Sequence, residues 1–162
     1  MLTIKRCKLF YKTKEDILDK DAELYASYLA FVELKKNDPR ARYGTNDKPS
    51  TGIYKKLIPK IWHAHLSHRI SIWYRIVGNV MCLYGTFSHD DTGTGPGKSR
   101  KPAKIKQVAK TMARQQFEQQ EKFAAQLKEA DEGEWVALTE EDFRDMEKGN
   151  SIVDVLEKYF KE

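Results

Sequence analysis

Cysteine is scarce in this chain: Cys7 and Cys82 are the only two among 162 residues. They lie far apart, each in a segment that reads as strand. A disulfide framework is therefore not expected, and both read as reduced thiols of a cytoplasmic protein. No run of 18 apolar residues occurs, which argues against any membrane-spanning helix. The opening MLTIKRCKLFYK has neither an apolar core of signal-peptide length nor a small-residue cleavage site, so no secretory signal is expected. Internal repeats are absent too. Histidine is also sparse, at four residues, yet all four fall between positions 63 and 89.

What is present in quantity is charge, unevenly spread. Up to residue 110 there are 22 Lys and Arg against 10 Asp and Glu; beyond it there are 7 against 14. A basic body points to phosphate-bearing partners, because neutralising phosphates releases condensed counterions. An acidic tail is either a solvated face or a cover for the basic surface in cis.

The pattern predicts an α+β fold. A first strand spans about 2–11, and Thr13, with Asp16 three residues on, is the expected cap of a helix to about Lys36. Residues 37–53 read as loop. Alternation then predicts three strands, Lys60–Leu66, Arg69–Val77 and one from Val80. Gly78-Asn79 is a two-residue hairpin turn that pairs Arg75 with Cys82, Trp73 with Tyr84 and Ser71 with Thr86. One face would carry Ile70, Ile72, Tyr74, Ile76, Met81, Leu83 and Phe87 as core. The other would expose Arg69, Ser71, Trp73, Arg75, Tyr84, Thr86 and Ser88, on which Trp73 and Tyr84 could stack bases. A three-residue turn at Ser67–Arg69 would pair His65 with Ser71 and bring His63 and His65 to that polar face. Residues 92–103 read as a basic loop, followed by a helix over about 103–130 ended by Gly133, a short helix capped by Thr139, and a last helix over Ile152–Phe160. The expected division is a basic sheet domain over 1–103 and a helical extension over 104–162, acidic from about 118.

Thr92–Ser99 nearly matches the phosphate-loop pattern G-x-x-x-x-G-K-[ST], but Thr92 replaces its first glycine and Pro102 interrupts the helix that should follow. A loop whose Lys98, Arg100 and Lys101 touch a nucleic-acid backbone is the better expectation. The spacing of His63, His65 and His68 could suit a metal, but no cysteine or carboxylate joins them before His89 and Asp90, and neither metal nor cofactor is expected. Imidazoles beside arginines suit proton transfer at a phosphodiester instead. His65 or His63, His89, and Arg69 or Arg75 could act as base, acid and cation, although parity places His89 on the core face.

One strand, a helix, a loop and three antiparallel strands with a polar basic face together resemble the RelE-type toxins of bacterial toxin–antitoxin pairs. Trp62-His63-Ala64-His65-Leu66 resembles the histidine-bearing strand of the YafO branch. Trp73-Tyr74-Arg75-Ile76, with Gly85-Thr86-Phe87-Ser88-His89, resembles the YafQ branch, whose last strand ends in a catalytic histidine. The resemblance covers about residues 55–92. It implies a RelE-like antiparallel sheet, His65 and His89 as catalytic residues, cleavage of mRNA (commonly on the ribosome), inhibition of translation, and an antitoxin protein as partner. The acidic C-terminal segment is similar in flavour to antitoxin tails and could cover the basic face in cis. A non-catalytic RNA- or ribosome-binding module, and a protein-binding inhibitor of the gyrase-poison type, are the competing expectations on the same scaffold.

Overall fold

The computed structural model describes residues 2–93, 106–138 and 160, with side chains from residue 113 in the second stretch. Strand β1 (Thr3–Cys7) runs straight into helix α1 (Lys8–Asp16). After a 3₁₀ turn at Leu18–Lys20, Asp21 caps helix α2 (Ala22–Asn37) by accepting the Leu24 N–H. The expected single helix from Thr13 is thus two helices. Thr13 lies inside α1, buried, and its hydroxyl donates to the Phe10 carbonyl.

The segment read as loop holds a two-residue strand β2 (Lys48–Pro49) and leads into helix α3 (Ile53–Leu57). Asp47 fixes its course. Wholly buried, that carboxylate accepts from Lys35 Nζ at 2.6 Å, from the Tyr43 N–H at 2.8 Å and from the Tyr74 hydroxyl. A buried ion pair is stable only when its remaining lone pairs are satisfied, as these are. Strands β3 (Ile61–His65), β4 (Ile70–Val77) and β5 (Val80–Ser88) fall where alternation predicts them. Helix α4 (His89–Thr92), the long helix α5 (Lys106–Glu132) and strand β6 (Trp135–Val136) complete the order.

The sheet is β2-β3-β4-β5-β1-β6, antiparallel except where β1 joins β5. His65 pairs with Ser71, as a three-residue turn requires. The hairpin at Gly78-Asn79 also forms as expected, Val77 pairing with Val80 and Arg75 with Cys82.

Beyond Leu83 the register differs from expectation. A bulge lets Tyr74 pair with Leu83 but Trp73 with Gly85, so Ile72 meets Thr86 and Ser71 meets Phe87. Tyr84 is the extra residue, and inserting it inverts the faces of everything after it. Gly85 makes this possible, because a Cβ there would lie 2.6 Å from the Phe87 ring. The Thr86 N–H, displaced from the ladder, donates to Thr13 Oγ1 at 3.1 Å. Thr13 is therefore an anchor for the bulge and not a helix cap.

Both faces of the sheet are covered. Phe10, Tyr28 and Phe31 of α1 and α2 pack against Ile72, Met81 and Leu83 on one side. On the other, Tyr54 of α3 and Phe123, Ala124 and Leu127 of α5 pack against Ile61, Trp73, Tyr84 and Phe87. This second layer overturns the expected open face. Trp73 is 2% exposed and Tyr84 wholly buried, so neither is available for stacking bases; α5 occupies the space a base would need. Phe87, expected in the first core, belongs to the second because of the bulge. Thr86, expected on the polar face, is fully buried.

Among the described residues, no helix is long and apolar enough to cross a membrane. Lys98, Arg100, Lys101, the phosphate-loop-like string beyond Gly93, and the helices expected at Thr139 and Ile152 lie outside the described residues. Phe160 packs its ring against Tyr11 at 6.2 Å, on the α1 side of the molecule.

Candidate active site

Three imidazoles meet at one end of the sheet. Alternation along β3 puts His63 and His65 on the face that α5 covers further down, where Ile61 and Trp73 are sealed. His89 begins α4, immediately after β5, and the bulge carries it to this same face. The ring centroids of His65 and His89 are 5.4 Å apart, and those of His63 and His65 are 6.4 Å apart. Parity without a bulge would have left His89 on the opposite face from His65.

Each ring is held differently. His63 stacks on Trp73, with centroids 4.7 Å apart and planes 21° from parallel, and its Nδ1 lies 2.7 Å from Ser50 Oγ. Burial is the main reason its pKa falls from 6.5 to about 4, with His65 and Lys48 adding to the effect. His63 is therefore a neutral ring near pH 7. His65 is also shifted down, first by partial burial and then by His89 beside it. His89 places Nε2 3.1 Å from the His68 carbonyl oxygen, which ties the end of β5 to the β3–β4 turn. His68 itself is exposed in that turn.

The position of His89 depends on α4, a single helical turn. Ser88 caps it reciprocally with Asp91: the Asp91 N–H donates to Ser88 Oγ, and the Ser88 N–H donates to the Asp91 carboxylate. Its far end would leave carbonyls without partners. Side-chain donors from two other helices satisfy them. Gln119 donates to the Asp91 oxygen at 2.6 Å and Tyr54 to the Thr92 oxygen at 2.8 Å; Gln116 and Gln120 donate to Gly93 at 2.7 and 3.2 Å. Three glutamines of α5 thus clamp the turn that carries His89. Their spacing of three and four was in the sequence as a polar helix stripe, but nothing local marked its target.

The cations are not those expected. Arg75 lies four residues along β4 from the Ser71 that faces His65, roughly 13 Å away at the usual strand rise. Its guanidinium pairs with Asp131 of α5 at 3.3 Å, and that carboxylate also accepts from Tyr84. Arg75 is therefore not part of the histidine site. Arg69 is exposed in the turn beside His68, at the site's margin. The cation beside the imidazoles is Lys48 of β2, the ladder partner of His63 and close enough to depress both His63 and His65. Sequence reading missed it because a two-residue edge strand has no periodicity to detect. Among the described residues, no three of His, Cys, Asp or Glu are grouped so as to hold a metal ion.

No protein-family model matches this chain, and no curated protein matches it. Among solved structures, the chain is similar to a YoeB/ParE toxin from Agrobacterium tumefaciens at 16% identity, with 54% of this chain and 99% of that one covered and a TM-score of 0.47. It is also similar to a copper-bound mutant toxin from Helicobacter pylori at 22% identity, covering 55% and 96%, with a TM-score of 0.43. A conserved protein from Helicobacter pylori, known from its solution structure, matches at 20% identity over 55% and 96%, with a TM-score of 0.37.

Proposed function

We propose that this chain is the toxin of a toxin–antitoxin pair and acts as a metal-independent endoribonuclease on mRNA, blocking translation. The observation that carries the reading is the proximity of His65 and His89, two half-buried imidazoles 5.4 Å apart at one end of the sheet with Lys48 alongside. Cleavage of an RNA linkage needs a base for the ribose 2′-OH, a cation for the charge on the phosphorane and an acid for the departing 5′ oxygen. His65, held towards its neutral form by burial and by its neighbour, takes the 2′ proton. The 2′ oxygen then attacks phosphorus, and the bond to the 5′ oxygen breaks as His89 donates a proton to it. The products are a 2′,3′-cyclic phosphate and a 5′-hydroxyl. Lys48 supports the extra negative charge in between. His63, stacked and hydrogen-bonded, is a positioning residue that holds the β3 end rigid.

The resemblance of the histidine strands to the YafO and YafQ toxins supports the same reading, and brings with it an antitoxin partner and a ribosome-bound message as the substrate. The test is brief expression of the full chain in bacteria, followed by mapping of RNA 5′ ends. New 5′-hydroxyl ends should appear within messages. His65→Ala or His89→Ala should reduce them by about 10²–10⁴-fold, the usual scale of positioned proton transfer. Growth arrest with intact messages would favour a protein-directed inhibitor instead.

A further inference from the structure

From Pro39 to His89 the chain carries eight Lys and Arg and a single carboxylate, Asp47. That carboxylate is buried and already paired with Lys35. Of the eight cations, Arg75 is paired with Asp131 and Lys48 borders the imidazoles. Five of the rest lie on the segment that forms the β2 edge of the sheet and leads into β3: Arg40, Arg42, Lys55, Lys56 and Lys60, all exposed. Arg42 lies over the half-exposed Trp62 ring at 6.0 Å, on the α2 side of this edge, whereas Lys55 and Lys56 belong to α3 on the side of the imidazoles. Among the described residues no exposed acid lies between positions 39 and 60, although the exposed Asp38 just before them accepts the Arg40 N–H at 3.1 Å. The charge of this stretch is therefore of one sign up to His63 and His65.

We infer that this β2–α3 edge is the track along which a single-stranded polynucleotide is led to the histidines, gripped by its phosphates and not by its bases. The inference takes its polynucleotide class from the function proposed above and adds the surface that binds it. An acidic protein is the other occupant such charge could draw. Protein interfaces, however, rely on buried apolar or aromatic anchors at their centre. The large apolar side chains exposed among the described residues, Leu29, Val77 and Phe117, all lie off this edge, and the half-exposed Trp62 is held between Arg42 and the α2 core. A phosphate track needs no such anchors, because its affinity comes from counterion release. It also replaces the stacking platform expected at Trp73 and Tyr84.

The experiment is fluorescence anisotropy of the full chain with a labelled twelve-residue oligouridylate whose 2′ positions are deoxy, so that it binds without being cut. The variants are Lys55→Gln/Lys56→Gln/Lys60→Gln at the edge and Lys20→Gln/Lys36→Gln as a control on the α2 side, with folding checked by circular dichroism. The edge variant should bind at least tenfold more weakly at low salt. Its slope of log affinity against log salt should shrink by about two, on the basis of roughly 0.7 per phosphate contact. The control should stay within twofold. Equal loss in both variants, or no loss in the edge variant, overturns the inference while leaving cleavage of the all-ribose oligomer free to support the nuclease reading. Edge-dependent binding with no cleavage of that ribose oligomer supports the track and refutes the nuclease. Absence of oligonucleotide binding, with edge-dependent binding of polyglutamate, overturns the track in favour of an acidic protein.

Discussion

His63 shows how burial decides what a single residue does. A folded pKa near 4 against 6.5 in the unfolded chain means that the unfolded state binds more protons between those values. Stability contributed by the neutral ring is therefore complete above pH 6.5 and is lost as pH falls towards 4, by about 3 kcal/mol in total. Denaturant titrations of the chain and of His63→Phe, which keeps the stack on Trp73, should diverge in this window. The variant should lack most of the slope; an equal slope in both would remove His63 as its source. The histidine cluster was legible at this scale because imidazoles are rare and stood together. Lys48 and Ser50 were not, since their relevance comes from a ladder pairing across the sheet and not from neighbours in sequence.

At the scale of elements, two short irregular pieces determine the site. The bulge at Tyr84 turns Phe87 and His89 to the face of His65, and the one-turn helix α4 presents His89 in place. The strands and the hairpin could be read from period and turn chemistry. The bulge could not: it depends on Gly85 giving room to the Phe87 ring and on Thr13, seventy-three residues away, accepting the stray N–H. The glutamine clamp gives a direct test. Replacing Gln116, Gln119 and Gln120 together with alanine should lower the cleavage rate at least tenfold, because small misplacements of a reacting group are costly. RNA affinity should stay within twofold, and the His89 ring resonances should shift in NMR spectra. A rate loss without any change at His89 would assign the glutamines to folding alone.

For the whole molecule, the difference from expectation is a third layer. Alternation along β4 and β5 predicts one buried and one wet face, yet α5 seals the second with Phe123, Ala124 and Leu127. The amphipathic stripe of α5 was visible in sequence, but a stripe does not say which surface it will cover. Phe123, in edge-on contact with Trp73, Tyr54 and Phe87, joins the layers. Phe123→Ala should cost about 3–5 kcal/mol in thermal or denaturant unfolding. A cost below 1 kcal/mol would mean that α5 is only loosely attached. With that face closed among the described residues, the proposed cleavage falls to the sheet end, where His65 and His89 are half-buried.

The division of labour between His65 and His89 is most directly tested with an RNA oligomer whose scissile 5′ oxygen is replaced by sulfur, a leaving group that needs no proton. Initial rates on this substrate and on its oxygen counterpart are compared for the parent chain and the two alanine variants. His89→Ala should cut the sulfur-bridged linkage at close to the parental rate while failing on the oxygen one, and His65→Ala should fail on both. Failure of His89→Ala on the sulfur-bridged substrate as well, or full activity of both variants on ordinary RNA, would contradict the account.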